Sequence, residues 1–151
     1  MADNIEDELY GVVFTVGGEE FVLDIVNIEQ IVRVLPITPV PKTEAFVLGI
    51  FNLRGKVVPV ISAHERLGLR KDGEPRRIIV INNEDKPVGL LVDNVIELAR
   101  IQKSQIAPPP PFIGGIDPEY VQSIAREKDR LLIILNTKFM VDAHSGIPEP
   151  V

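Results

Sequence analysis

The chain has 151 residues, a length that suits one domain, and it carries no cysteine, which removes disulfides, thiol nucleophiles and thiolate metal sites. With 16 basic against 22 acidic residues the net charge is −6, so no basic face is spare for general nucleic-acid binding. Two histidines, His64 and His144, are too few for a multi-histidine metal centre.

Isoleucine and valine, 19 of each, favour strands, because branched side chains pack well on a pleated surface and are stiff in a helix. A hydrophobic content of 45% is enough to bury a core. Residues 1–8 read as an acidic tail without the order of a signal peptide, and no apolar run reaches the ~18 residues of a membrane span, so a cytoplasmic protein fits. Tyr10–Val16 is a strand, and Gly17–Glu20 turns it into Phe21–Ile25, which makes a hairpin. Ile28, Ile31 and Val32 fall at helical spacing and predict a short helix, extended from Val34 onward. Pro36, Pro39 and Pro41 end that helix and hold the next stretch at an edge or in a loop. Thr43–Ile50 reads as a helical turn entered through Thr43, and Asn52–Lys56 as a tight turn. Val57–Ile61 is a strand covered on both faces, with Pro59 marking an edge or a bulge. Ser62 and Glu65 fit a capping box for a short helix that stops near Gly68.

After the charged loop 70–76, RRIIVIN and VGLLVDNVIEL repeat the opening hairpin about the turn Asn83–Lys86. Ile106–Ile116, with four consecutive prolines, is a polyproline-like connector rather than regular structure. Asp117-Pro118-Glu119 can start a helix, whereas Tyr120–Ala125 fits a strand, and the sequence leaves residues 117–126 open between the two. Leu131–Leu135 is a buried strand, Asn136–Ala143 a short closing helix, and residues 146–151 a tail.

A shift of 67 residues lays Leu23 on Leu90, Asn27 on Asn94, Ile28 on Val95 and Ile31 on Leu98. Each half also ends in an apolar strand after a charged turn, Arg54-Gly55-Lys56 and Lys128-Asp129-Arg130. A duplication of this kind predicts two small β-barrel units of roughly 60 to 70 residues, packed on a shared core with a groove between them. Ile28, Ile31, Val95 and Leu98 would line that groove as pseudo-symmetric partners.

Catalytic chemistry finds little support. GIFNLRGK fails as a phosphate-binding loop: five residues separate Gly49 from Gly55, Val57 stands at the magnesium-ligand position, and a strand follows. His64 reads as a surface or capping histidine. Asp24, Asp93 and Glu97 read as solvated strand-end charges, and Ser62 as a cap. Arg54 is either a solvated turn residue or a protein contact, since its planar fork on a rigid turn suits carboxylates. Phe112, at the end of the proline run, is either a core anchor or an exposed hot spot.

The order E-E-F-x-L-D-I-x-x-I-x-x-I, P-x-x-F-V-x-G-I-x-N-L-R-G-K-V-V-P-V-I, V-G-L-L-V-D-N-V and D-R-L-L-I-I-L-N resembles the CheW family of bacterial chemotaxis coupling proteins from about Phe14 to Val141. That resemblance implies a mainly β fold, with two intertwined five-stranded SH3-like barrels and a few short helices. It implies one domain over 9–145, built of units near 14–80 and 81–140 that exchange strands at their ends, with flexible tails at 1–8 and 146–151. The implied function is a non-enzymatic scaffold, without cofactor or metal, that couples chemoreceptor cytoplasmic tips to the histidine kinase CheA. Its place would be the receptor arrays on the inner face of the membrane, without inserting into it. Carried over position by position, Ile28, Gly49, Arg54, Val95 and Leu98 fall on receptor-binding positions, and Val34, Ile37, Val40 and Phe112 on kinase-binding ones. Pro59-Val60-Ile61-Ser62-Ala63 departs from the usual Pro-Val-Ile/Val-Asp-Leu, and Ala107 and Pro111 replace charged residues that often flank the proline segment. The same fold serves as the C-terminal domain of CheA and as the first half of CheV, but Met1, a short tail and no linker suit a stand-alone protein. A ligand-binding barrel or small enzyme would need a converging polar cluster, which the sequence lacks. An oligonucleotide-binding barrel is disfavoured by charge and by the scarcity of stacking aromatics.

Overall fold

Strands dominate the computed structural model, which describes residues 8–71 and 73–141; His144 and the tail residues 1–7 and 146–151 lie outside this range. In chain order the strands are β1 (Glu8–Val16), β2 (Glu19–Asp24), β3 (Ile28–Arg33), β4 (Val47–Leu53), β5 (Lys56–Ser62), β6 (Arg77–Asn83), β7 (Lys86–Val92), β8 (Asn94–Gln102), β9 (Ile106–Ala107), β10 (Val121–Glu127) and β11 (Arg130–Leu135). Two short helices, α1 (Ala63–Leu67) and α2 (Thr137–Val141), follow β5 and β11. The strands form one sheet in the order β8-β1-β2-β11-β10-β9 and a second in the order β3-β6-β7-β5-β4.

The two sheets share one plan. A hairpin, β1–β2 or β6–β7, takes an antiparallel neighbour on one side, β8 or β3. On the other side it takes a parallel one, β11 or β5. β3 therefore pairs in the sheet of the second hairpin and β8 in the sheet of the first, which is the exchange that intertwines the barrels. The second sheet is drawn from residues 28–92 and the first from the segments on either side, so the sheets are not two consecutive halves divided near residue 80. The first sheet also exceeds five strands by the two-residue β9.

Three apolar clusters fill this frame. Val13, Val22, Ala99, Ile101, Ala125, Leu132 and Ile134 occupy the first barrel. Phe51, Leu53, Val58, Val60, Ile78, Val80 and Leu91 occupy the second. The third lies between them and draws on both, with Phe14, Phe21 and Leu23 meeting Ile79, Ile81 and Leu90. One packing position shows the volume matching. A side chain on Gly11 would overlap Val22, and one on Gly89 would lie 2.8 Å from Ile78, so each barrel pairs one glycine with one bulky residue in opposite order.

Several expectations change. Ile28–Val32 is strand, not helix, and a bulge explains the misleading spacing. Ile28 pairs with Ile81 and Ile31 with Ile79, leaving Glu29 as the extra residue. A bulge puts positions i and i+3 on one face, which mimics helical periodicity; Val32 instead packs into the second barrel. The expected helical turn at Thr43–Ile50 survives only as a turn at 45–46, because Val47–Leu53 alternates in burial and Thr38 exchanges backbone hydrogen bonds of 2.8 and 2.9 Å with Ile50. Pro59 is neither on an edge nor in a bulge. Ile50 gives both backbone groups to Thr38, so its pairing with Pro59 does not need the missing N–H. Glu8 opens β1 rather than closing a tail. Phe21–Ile25 ends at Asp24, whose carboxylate caps the 3-10 turn Ile25–Asn27. At Asp117 both readings hold in succession: Asp117 caps a 3-10 turn at Pro118–Tyr120, and β10 begins at Val121. The connector 106–116 contains β9 at one end and an Ile113–Ile116 bridge at the other. Ser62 caps α1 through the Glu65 N–H, and Gly68 ends it at a φ of 70°.

Candidate partner-binding site

The shared core is flanked by two edge strands, β3 and β8, each with a bulge at the same place in the repeat. On β8, Val95 pairs with Phe14 and Leu98 with Val12, so Ile96 is the counterpart of Glu29. Ile28 and Val95 pack partly buried on the shared core. Ile31 and Leu98, on the same strand faces, stay 38% and 59% exposed, although most apolar side chains here are covered. These are two equivalent apolar lips (one per barrel), left exposed among the described residues. An amphipathic helix laid along such lips gains apolar burial at both.

Arg54 sits in a two-residue turn between β4 and β5, at a φ of 52°, with Gly55 at 87°. Two positive φ values are what a twisted hairpin's I′ turn requires. The Asn52 side chain locks it by accepting the Gly55 N–H at 2.8 Å. Arg54 is exposed and makes no hydrogen bond or ion pair among the described residues, so a rigid turn presents a free guanidinium. Gly49 is buried and lies under Thr38 and Pro39, and it seats that segment instead of offering a surface. Of the remaining candidates, Val34 is exposed, Val40 is half-buried, and Ile37 turns inward onto the second barrel's core. Phe112 is 76% exposed, which decides against a core anchor. It lies on an apolar groove of about 340 Å³ with Ile113, Ile124, Leu131 and Ile133.

Three polar features escaped the sequence reading. His64 is buried, not superficial, with its Nε2 2.9 Å from the Asp93 carboxylate, close enough for an ion pair yet misaligned for a hydrogen bond. Asp93, also buried, accepts the Gly17 N–H at 2.8 Å, so the pair ties α1 and the β7–β8 crossover to the first hairpin. The equivalent crossover uses Asn27, whose amide donates to Thr137 on α2. Arg66 lies over the rings of Phe46 and Tyr120 at 4.3 and 5.1 Å and donates to the Phe139 carbonyl. Arg130 binds Glu20 through two nitrogens and Glu97 through a third, and the Glu20 hydrogen bonds above all raise its pKa. Glu97 is thus paired rather than merely solvated. Nothing in the sequence spacing marked these contacts, since the partners lie 20 to 110 residues apart.

Among the described residues no group of histidine, aspartate and glutamate is placed to hold a metal, and no helix is long and apolar enough to cross a membrane. The CheW-like domain family matches residues 10–144, over the hairpins, both lips and the Arg54 turn. The chain belongs to the CheW family. It is 32% identical to the chemotaxis protein CheW of Treponema pallidum over 87% of this chain and 82% of that protein. It is 35% identical to that of Helicobacter pylori over 88% and 81%, and 30% identical to that of Bacillus subtilis over 89% and 88%. The crystal structure of the scaffolding protein TtCheW from Thermoanaerobacter tengcongensis superposes with a TM-score of 0.85 at 35% identity, over 95% of this chain and 99% of that one. The chain is a chemotaxis scaffold of the CheW type, not an enzyme.

Proposed function

We propose that this chain couples chemoreceptor cytoplasmic tips to the histidine kinase CheA, in the cytoplasm, at receptor arrays on the inner face of the membrane. The observation that carries this reading is the pair of equivalent lips, with Ile31 and Leu98 left exposed beside a buried shared core. Receptor tips are helical, so Ile28, Val95 and Leu98 supply the apolar floor and Arg54 fixes the docking angle. The kinase takes the opposite role along the edge at Val34 and Val40 and at the exposed Phe112. Gly49 and Ile37 act from beneath by holding that edge in place.

A receptor cytoplasmic fragment used as bait tests this directly. The bait should retain the chain alone and should retain a CheA-type kinase only when the chain is added. Kinase recovery independent of the chain would refute the coupling role. Because Phe112 is exposed, Phe112→Ala should leave unfolding and the binary kinase complex intact and impair only array assembly. Loss of the binary complex would overturn that division.

A further inference from the structure

We propose that the groove receives its partner helix in one direction only, set by a carboxylate of that helix that binds Arg33 and Arg77. This rests on the groove reading above. The argument begins at the bulges. Because Glu29 is extra, Ile31 stands opposite Ile79 and Arg33 opposite Arg77, all on the face that carries the apolar lip. On the other lip Leu98 stands opposite Val12 and Arg100 opposite Tyr10. The two lips therefore have the same plan, an apolar pair followed by an arginine.

Their ends differ in charge. Arg100 is held by both oxygens of Glu8, at 2.5 and 2.7 Å. Arg33 is exposed, and its cross-strand partner is another arginine, whose guanidinium reaches only the Arg76 carbonyl at 2.9 Å. No carboxylate pairs with Arg33 or Arg77 among the described residues. Like charges directly opposite in a sheet destabilise it, with Cα atoms only about 5 Å apart. This arrangement occurs in a chain whose net charge is −6, where Arg100 and Arg130 have both found acids. A repelling pair without a counter-ion, set at the end of an apolar lip, fits an acid that arrives from outside. Two guanidinium forks can grip one carboxylate through several charge-assisted hydrogen bonds. Along β3, Ile31 and Arg33 are about 6.6 Å apart, close to the 5.4 Å turn of a helix. A helix running along β3 thus offers its acid about one turn beyond its apolar anchor. Reversed, that acid would meet Arg100 already neutralised by Glu8, and the Glu8 carboxylate would repel it.

The test measures binding of the receptor cytoplasmic fragment to the full chain at about 50 and 300 mM salt, where screening differs strongly. The double variant Arg33→Gln/Arg77→Gln should weaken binding about tenfold or more at low salt and flatten its salt dependence. Arg100→Gln should change it less than about twofold. Relief of the cross-strand repulsion should leave the double variant's unfolding midpoint equal to or above that of the parent. Parent-like binding by the double variant, with Leu98→Asp abolishing binding, would overturn this inference and leave the groove intact. Normal binding by Leu98→Asp as well would remove the groove reading itself. A lowered unfolding midpoint in the double variant, or weakened kinase binding with receptor binding intact, would each overturn the assignment to the partner helix.

Discussion

Gly49→Ala should cost more than its size suggests, because the new methyl group meets backbone and not side chain. It would overlap the Thr38 carbonyl oxygen and lie 2.7 Å from the Thr38 carbonyl carbon and 2.9 Å from Pro39 Cα. Neither neighbour can rotate away, so the 38–39 segment must lift. Lifting it breaks the two Thr38–Ile50 backbone hydrogen bonds, of 2.8 and 2.9 Å, each worth about 1 kcal/mol. The alanine is also held at a φ of 145°, which adds a strain of roughly 1 to 3 kcal/mol. Together these give about 3 to 5 kcal/mol, a large part of a domain's total stability. In a chain of this size that lowers the unfolding midpoint by roughly 10 °C. Circular dichroism melting reads the midpoint, and hydrogen exchange reads the loss of protection at the Thr38 and Ile50 amides. Because the lifted segment adjoins Val34 and Val40, kinase binding should fall before receptor binding does. A midpoint within about 2 °C of the parent, with both amides still protected, would refute the seating role.

Arg54→Ala should change stability by no more than about 0.5 kcal/mol, since the side chain is exposed and unpaired, while receptor-dependent kinase activation falls in a reconstituted assay. Unchanged activation would remove Arg54 from the contact. His64→Ala removes the group facing the buried Asp93 carboxylate and should cost about 1 to 3 kcal/mol by denaturant titration, whereas a surface histidine would cost almost nothing. Arg100 holds the Glu8 carboxyl below its ordinary range. The folded value being the lower one, this pair stabilises the fold fully above the ordinary carboxylate pKa, and the benefit is lost as pH falls through the depressed value. Glu8→Gln should therefore reduce the acid-limb slope of stability and leave the neutral-to-alkaline limb parallel to the parent.

What the sequence disclosed follows from what is local. Hairpin turns, the Ser62 cap and the apolar strands Val57–Ile61 and Leu131–Leu135 are all short-range patterns, and each is found where its residues put it. The duplication relates Ile28 to Val95 in the sequence, and both do pack on the same core. The helix expected at Ile28–Val32 failed for a physical reason: a single extra residue in a strand reproduces the i, i+3 spacing of a helix face. His64 failed differently. A histidine on a five-residue helix looks superficial until the β7–β8 crossover, 29 residues on, brings Asp93 over it. Gly49 was flagged by resemblance as a contact position, yet it is buried beneath Thr38 and Pro39 and packs against them, because a glycine in a strand can mark a close backbone approach as well as a surface.

The duplication also explains where function can reside. A chain that folds as two equivalent barrels needs the same hairpin, crossover and bulge in each, and those features are indeed matched across the two sheets. Features that differ between equivalent positions are free of that demand. One crossover is fastened by the neutral Asn27–Thr137 bond and the other by the ionisable His64–Asp93 pair. One lip ends in a neutralised arginine and the other in two opposed ones. The β4–β5 turn carries Arg54 at a φ of 52° where the β10–β11 turn carries Lys128 at 56°, a similar backbone under a different cation. A symmetric groove would accept a helix in either sense and could not hold a kinase in one orientation relative to a receptor. On the proposed reading, the opposed arginines are the departure from symmetry that would remove that ambiguity, at a cost in cross-strand repulsion.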